Sequence, residues 1–340
     1  MQKKIFVSGA TGFIGSHVAL CLADEGHIVH ALFRSFQKAE ILKHENIRLF
    51  QGDVCDKSSL ETAMASCEEA YHLGAFARLW DKDPTLCQRV NVEGTSAVLD
   101  SAVKCGIKKI VVTSTAGVLG PSNSKPIGEE CERTSNFFNA YELSKFEMEK
   151  KVLEYGEKGL LVVIVNPTRV FGPGLLSEAN SATKIIKAYI HGKWHIIPGS
   201  GNSIGNYAFI DDVVKGHILA MEKGLSGERY ILGGANLSFL DFFSVISAVS
   251  GKRYRMIRVP AQSLICISGL VFFFSRLFGK PPRLAPQWIK RYFQNWAVSS
   301  KKAESELGYK ITPIEEGIGK TVQWLRDRDS IRVLETPPLP

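Results

Sequence analysis

Over its first half the chain alternates short, continuous apolar runs with longer stretches of helical periodicity. Lys4 to Val7, His27 to Phe33, Leu49 to Val54, Tyr71 to Ala75 and Leu160 to Val165 have the length and composition of buried strands. Between them the apolar positions space out as on helices, at Phe13 to Asp24, Ser58 to Cys67 and Val92 to Val103. Strand followed by helix, repeated to residue 165, predicts an α/β fold with a doubly wound parallel sheet, because parallel strands need a crossover and a helix is the usual one. At 340 residues the chain also has room for a smaller lobe. The expected division is 1–165 plus 205–232 for the sheet domain, and 166–204 plus 233–330 for a discontinuous C-terminal substrate lobe. Residues 331–340, ending Glu335-Thr336-Pro337-Pro338-Leu339-Pro340, read as a disordered tail.

The first strand runs directly into Ser8-Gly9-Ala10-Thr11-Gly12-Phe13-Ile14-Gly15. Strand, glycine turn and helix in that order predict a Rossmann-type dinucleotide site. Gly9 permits the tight turn, Gly12 lets the backbone approach a pyrophosphate, Gly15 lets the helix pack on the strand, and the helix N-terminus attracts the phosphates. Thr11, Phe13 and Ile14 complete this cofactor-binding turn. The residue ending the second strand selects the dinucleotide, and here it is Arg34. A guanidinium pairs with a 2′-phosphate where a carboxylate would bind the ribose, so NADP is favoured over NAD. Arg34 stacked on adenine, or turned to water, is the alternative. At the third strand's end, Asp53 with its neighbour Val54 is assigned to the adenine end of the cofactor. A helix cap is the competing role, and Asp56 suits it better. Gly74 and Ala75, beyond the fourth strand, are small enough for the nicotinamide half to pass close to the backbone.

Tyr141-Glu142-Leu143-Ser144-Lys145 puts a phenol and an ammonium at positions i and i+4, on one face of a helix. A free tyrosine titrates near about 10, and an adjacent cation would lower that value toward the range useful for proton transfer. Thr115 stands at the end of an apolar strand, 26 residues before Tyr141.

Together these segments resemble the extended short-chain dehydrogenases/reductases. The resemblance is carried by the glycine turn, Gly52-Asp53-Val54, Asn91-Val92-Glu93-Gly94-Thr95, Thr113-Ser114-Thr115, Tyr141 to Lys145, Asn166-Pro167 through Phe171-Gly172-Pro173, Tyr207 to Val213, and Glu304 with Leu307-Gly308-Tyr309. It implies Tyr141 as general acid or base, Lys145 as the ribose-binding residue that lowers the tyrosine pKa, and Thr115 as the hydroxyl that polarises the substrate carbonyl, with Ser114 as runner-up. It also implies that Pro167 approaches the nicotinamide through its backbone, although proline there also ends the strand. Asn91 is expected to begin or support the helix that follows it, and Asp211 and Asp212 to cap a helix from Val213 to Glu222.

Within the family, Ala77-Arg78-Leu79-Trp80 with Asp83-Pro84, Val165 to Thr168, and Gly227 to Gly234 resemble dihydroflavonol 4-reductase-like and 3β-hydroxysteroid dehydrogenase-like proteins, and bacterial hopanoid-associated sugar epimerase-like members. The resemblance therefore implies hydride transfer between nicotinamide and a carbonyl or secondary alcohol of a hydrophobic or polycyclic small molecule. A sugar epimerase holding NAD is one alternative, and a catalytically silent dinucleotide sensor is another. Ala116 and Gly117 stand where sugar-nucleotide dehydratases carry an acidic pair. Asn295-Trp296-Ala297-Val298 stands where nucleotide-sugar enzymes tend to carry Arg-x-Gly-Asp. The resemblance also allows a homodimer.

Charge changes this picture in one interval. Between Asp241 and Glu304 the chain has no acidic residue and eleven lysines and arginines, against a net charge of +8 for the whole. The same interval holds the apolar run Leu264 to Phe274, flanked by Arg276 and by Gly279-Lys280-Pro281-Pro282. The run is too short to span a bilayer. A basic, apolar segment over 252–302 suits peripheral contact with anionic lipid; a buried helix lining the lobe or a dimer interface is the alternative. No nucleic-acid module accompanies it, so no nucleic-acid partner is expected. Seven scattered cysteines read as reduced, mostly buried thiols of a cytoplasmic protein, and the dispersed histidines predict no metal site. His72 and His217 read as packed residues.

Overall fold

The computed structural model describes residues 1–77, 83, 85–278 and 286–335. Arg78, Leu79, Trp80, Pro84, the turn Gly279-Lys280-Pro281-Pro282 and the last five tail residues lie outside the described residues. The strands are β1 (Lys4–Ser8), β2 (Ile28–Phe33), β3 (Ile47–Gln51), β4 (Glu69–His72), β5 (Lys109–Thr113), β6 (Leu161–Pro167), β7 (Arg169–Phe171), β8 (Ile196–Pro198), β9 (Ile204–Phe209), β10 (Arg229–Leu232), β11 (Ala235–Ser238) and β12 (Ile257–Val259). Seven of them form one parallel sheet in the order β10-β6-β5-β4-β1-β2-β3.

Alternation along each strand explains why both faces are covered. Ile5, Val7, Val111 and Val163 point into one core with Val18, Leu22, Val213 and Ala220 of the helices Phe13–Asp24 and Ile210–Lys223. Phe6, Ile110, Val112 and Val162 point into the other with Leu60, Val98, Met148 and Val152 of the helices Lys57–Met64, Gly94–Lys104 and Ala140–Glu157. A strand apolar on both faces demands a helical layer on each side, which is the doubly wound, Rossmann-type arrangement. The order reverses between β1 and β4, where Ser8 pairs with His72. Ligands of such sheets bind beyond the carboxyl ends of strands at that switch point.

Several boundaries differ from expectation in ways that shape this edge. β3 stops at Gln51 and β4 at His72, leaving Asp53, Val54, Gly74 and Ala75 in loops beyond the sheet. β9 does not join the large sheet; it pairs with β7 and β11 in a small one, and the return begins with the helix Ile210–Lys223 and β10. The last helix runs from Ile314 to Glu335, into the segment expected to be a tail. Only Cys67 and Cys87 are buried, whereas Cys55 and Cys266 are exposed and the others half-buried. The scattered positions gave no face for most of them to bury. The helix Ala261–Leu277 keeps Ile267, Leu270, Phe273, Phe274 and Leu277 exposed, so it is not the buried helix of the alternative reading.

Candidate active site

The glycine turn is compact enough to exclude side chains. Gly9 has φ +70°, and a Cβ there would lie 2.5 Å from the Gly74 nitrogen; on Gly15 it would meet the Gly9 oxygen at 2.1 Å. The helix Phe13–Asp24 starts at Gly12 with no side-chain cap and no acidic residue in its first turn. Its free N–H groups and positive end therefore face the cleft uncompensated, which fits a pyrophosphate. Phe13 itself is buried in the core, so it meets a cofactor only through its backbone. Val54 packs against Gly74 and Gly94, whose added Cβ atoms would lie 3.0 and 3.1 Å from its methyls.

A directional hydrogen-bond chain sets the spacing of this edge. The Gly74 N–H donates to Ser8 Oγ (3.2 Å), and Thr95 Oγ1 donates to the Asn91 carbonyl (2.7 Å). His72 lies between, with Nδ1 2.6 Å from Ser8 Oγ and Nε2 2.9 Å from Thr95 Oγ1. One consistent assignment follows: Ser8 donates to Nδ1, and Nε2–H donates to Thr95. Burial drives His72 down to about 3, with the Lys145 charge adding to it, so the ring stays neutral. His217 is likewise buried and packed, against Thr113 and the Val213 carbonyl.

Asn91 does not begin a helix. It lies in a π-type turn, Arg89–Glu93, continuous with the helix Gly94–Lys104. Its side chain is spent elsewhere: Oδ1 accepts from the Phe76 N–H (2.7 Å) and Nδ2 donates to Ser144 Oγ (2.9 Å). It thus fixes the loop after β4 to the helix Ala140–Glu157.

That helix is capped by Asn139, whose Oδ1 accepts from the Glu142 N–H, and carries Tyr141 and Lys145 as the spacing predicts. Lys145 is buried, and its ammonium donates to the Thr113 carbonyl at 2.6 Å. Burial lowers its pKa to about 8, partly opposed by Glu149. Tyr141 departs from expectation, because burial pushes its phenol up to about 12, while Arg291 pulls it down and Cys87 and Glu142 add to the rise. With the Lys145 ammonium directed to the end of β5, the cation acting on the phenol is Arg291.

Thr115 Oγ1 accepts the Gly117 N–H at 3.1 Å and caps the short helix Ala116–Leu119. Among the described residues its own hydroxyl hydrogen has no acceptor. A Cβ on Gly117 would lie 3.4 Å from Thr115 Oγ1, 3.5 Å from Glu142 Cγ and 3.6 Å from Arg291 Nη2. These three residues, far apart in sequence, therefore share one corner. Ser114 lies close enough to Glu149 to lower its pKa, but its buried hydroxyl makes no hydrogen bond among the described residues and stands beside a buried network. There Asn166 Nδ2 donates to Glu149 Oε1 (2.7 Å) and to the Thr115 carbonyl (3.2 Å), and Arg229 pairs with the other Glu149 oxygen (3.3 Å). β6 ends at Pro167, one residue beyond Asn166.

In the loops beyond β2 and β3, Arg34 lies 3.5 Å from Asp53, with side chains 72% and 41% exposed. Asp53 also accepts the Cys55 N–H, and Asp56 is the helix cap, on Ser58 N–H. Asp211 and Asp212 fall inside the first turn of the helix Ile210–Lys223 and do not cap it; Asp212 accepts from Thr312 N and Oγ1 at 2.8 and 2.6 Å. Burial of Asp212 against the incoming C-terminal segment wins over capping. Sequence reasoning passed over Glu142, Glu149, Arg133, Arg169 and Arg291 as site residues. The one available signal was Glu142 inside the Tyr-Glu-Leu-Ser-Lys string.

A family model described as the NAD dependent epimerase/dehydratase family matches residues 5–233. The chain is 28% identical over 330 residues to sterol demethylase protein B of Methylococcus capsulatus, covering 96% of this chain and 99% of that one. It is 26% identical over 335 residues to the sterol-4-alpha-carboxylate 3-dehydrogenase, decarboxylating, of Mus musculus, covering 94% and 90%. Among solved structures, gox2253 matches with a TM-score of 0.82 at 31% identity, over 96% of this chain and 99% of that one. Family model, glycine turn and Tyr-Lys helix agree, and the chain belongs to the NAD dependent epimerase/dehydratase family, within the extended short-chain dehydrogenases/reductases.

Proposed function

We propose that the protein is an NADP-preferring oxidoreductase that interconverts a carbonyl and a secondary alcohol on a small hydrophobic substrate, with Tyr141 as the proton-transfer residue. The observation that carries the reading is the Lys145 ammonium held on the Thr113 carbonyl at 2.6 Å, one helical turn from Tyr141 and at the strand end that leads to Thr115. Both sterol enzymes named above support a hydrophobic substrate. Gly9, Thr11, Gly12, Ile14, Gly15, Val54, Gly74, Ala75 and Pro167 would hold the dinucleotide, with Lys145 on its ribose. The nicotinamide, when bound, supplies or takes up the hydride. Tyr141 gives its proton to the substrate oxygen, and the free hydroxyl hydrogen of Thr115 donates to the same atom. The phenol is protonated at neutral pH and burial raises its pKa further, so the protein alone is set up as a proton donor, the state that reduction needs.

The NADP preference rests on Arg34. An exposed ion pair such as Arg34–Asp53 contributes little, so the guanidinium is free to turn onto a 2′-phosphate, releasing Asp53 toward the adenine. Calorimetric titration should show NADPH binding more tightly than NADH, with the difference largely lost in Arg34→Ala. A charge-assisted contact of about 1.5 to 3 kcal/mol corresponds to roughly 10- to 100-fold. Tight retention of NAD through purification, with no gain for NADPH, would replace this reading with the epimerase one.

The finer partner reading is peripheral contact with a membrane surface through the helix Ala261–Leu277. Among the described residues no helix is long and apolar enough to cross a membrane. The exposed stripe of that helix instead combines with exposed Lys252, Arg253, Arg255, Arg258 and Lys290 in the pattern that suits anionic lipid.

A further inference from the structure

Two guanidinium groups from separate elements lie near each other, and one of them, Arg291, acts on Tyr141. Arg169 opens β7, directly beyond Asn166-Pro167-Thr168. Its Cζ lies 5.7 Å from the ring centre of Tyr207, 5.8 Å from Phe239 and 5.6 Å from Tyr292, and its Nη1 is 3.5 Å from the Tyr207 hydroxyl. Among the described residues it meets no carboxylate. Arg291 comes from the helix Pro286–Tyr292. Its Nε donates to Glu142 Oε1 at 2.7 Å, its Cζ sits 4.0 Å over Trp296, and its Nη2 is turned toward Gly117.

The two groups are neighbours. Tyr292, next to Arg291 in the chain, is one of the rings around Arg169. Trp296, under Arg291, donates its backbone N–H to Ile204 beside Gly205, against which Arg169 packs. Burial lowers the Arg291 pKa, Glu142 opposes the fall and the Arg169 charge adds to it. Among the described residues the carboxylate paired with Arg291 is Glu142, and it already gives its other oxygen to Arg133 at 3.1 Å. Two arginines therefore share this carboxylate, and Arg169 is left with aromatic faces and the Tyr207 hydroxyl. A half-buried cation without an anion is poorly solvated, and the planar fork of arginine matches a carboxylate or phosphate.

We propose that Arg169 and Arg291 form an anion-binding subsite for a carboxylate or phosphate group carried by the substrate near the carbonyl that Tyr141 serves. This deepens the oxidoreductase reading and rests on it. The aromatic walls (Tyr207, Phe239, Tyr292) would cover the apolar part of such a molecule while the two forks hold its charged end. Two sources share this chemistry, a hydrophobic hydroxy or keto acid and the diphosphate of a nucleotide-linked substrate.

The test is calorimetric titration of the full-length protein with cholate, its uncharged methyl ester, UDP and inorganic phosphate, beside an NADPH titration. Binding of cholate but not the ester supports the subsite and assigns a carboxylate; binding of UDP supports it and assigns a diphosphate. Arg169→Met should weaken the bound anion at least tenfold with its melting temperature and NADPH titration unchanged; Arg291→Met should weaken the anion as much with the NADPH titration unchanged, but at a lowered melting temperature, because Glu142 loses a partner. Failure of cholate, UDP and phosphate to bind, or anion affinity unmoved by Arg169→Met, overturns the proposal. Failure to bind NADPH would instead strike the oxidoreductase reading, so the two failures are separable.

Discussion

A phenol held above its ordinary pKa and a lysine held below its own stand one helical turn apart, and burial is the cause of both shifts. Desolvation disfavours whichever form is charged, so it keeps Tyr141 neutral and loosens the proton on Lys145. The sign for lysine sets a pH window. Below about 8 the side chain is an ammonium, and above it a neutral amine that has lost a donor and its charge. NADPH affinity should fall as pH rises through about 8, by at most roughly tenfold per pH unit. The slope should vanish in Lys145→Met, and a pH-independent binding isotherm in the unaltered protein would contradict the assignment. Tyr141→Phe removes the proton donor and should cut turnover by about 100- to 10,000-fold while leaving NADPH binding nearly intact; full activity in that variant would remove the mechanism. The placement of Tyr141 and Lys145 one turn apart on one helix was legible because four-residue spacing leaves little freedom. The electrostatic partner of the phenol was not, because Arg291 reaches Glu142 across 149 residues of sequence, a separation no local pattern encodes.

At the scale of elements, the legible parts are those whose periodicity is dictated by two-sided burial. The strands of the large sheet, the glycine turn and the helix Phe13–Asp24 fall where apolar runs predict, within a few residues. β9 was misassigned because a buried strand looks the same in either sheet, and only its pairing with β7 and β11 tells them apart. The helix Ala261–Leu277 posed the opposite difficulty, since an apolar run reads as core. Its stripe is exposed, with Phe273 62% and Leu277 65% accessible, and basic residues lie on both sides in sequence. The protein should therefore co-sediment with phosphatidylcholine vesicles containing phosphatidylglycerol more than with phosphatidylcholine alone. Added salt and the pair Phe273→Ser, Phe274→Ser should each reduce the bound fraction severalfold, because the first screens charge and the second removes inserted apolar area. No binding to either vesicle would refute lipid contact; a dimer that dissociates in the double variant would reassign the stripe to a subunit interface.

For the molecule as a whole, the candidate site is a junction between distant parts of the chain. Fold class follows from the first 165 residues, whereas the corner around Tyr141 is completed from the C-terminal third. Ser122 donates its N–H to the Asn295 carbonyl, Ile127 to Ala297, and Ser299 to Ile127, while Ala297 donates to Ser122 Oγ across 175 positions. Asp212 holds Thr312 across another 100. The Asn295 to Val298 segment, noted in the sequence for the motif it lacks, thus serves as a seam. During synthesis, the sheet and the glycine turn can fold as soon as their strands emerge, but the loop around Ser122 and Ile127 must wait, edges unpaired, for a partner made some 170 residues later. A nascent chain would accordingly gain its cofactor cradle well before its Tyr141 corner, and a ribosome stalled short of residue 295 would hold a protein able to bind dinucleotide but not yet able to use it.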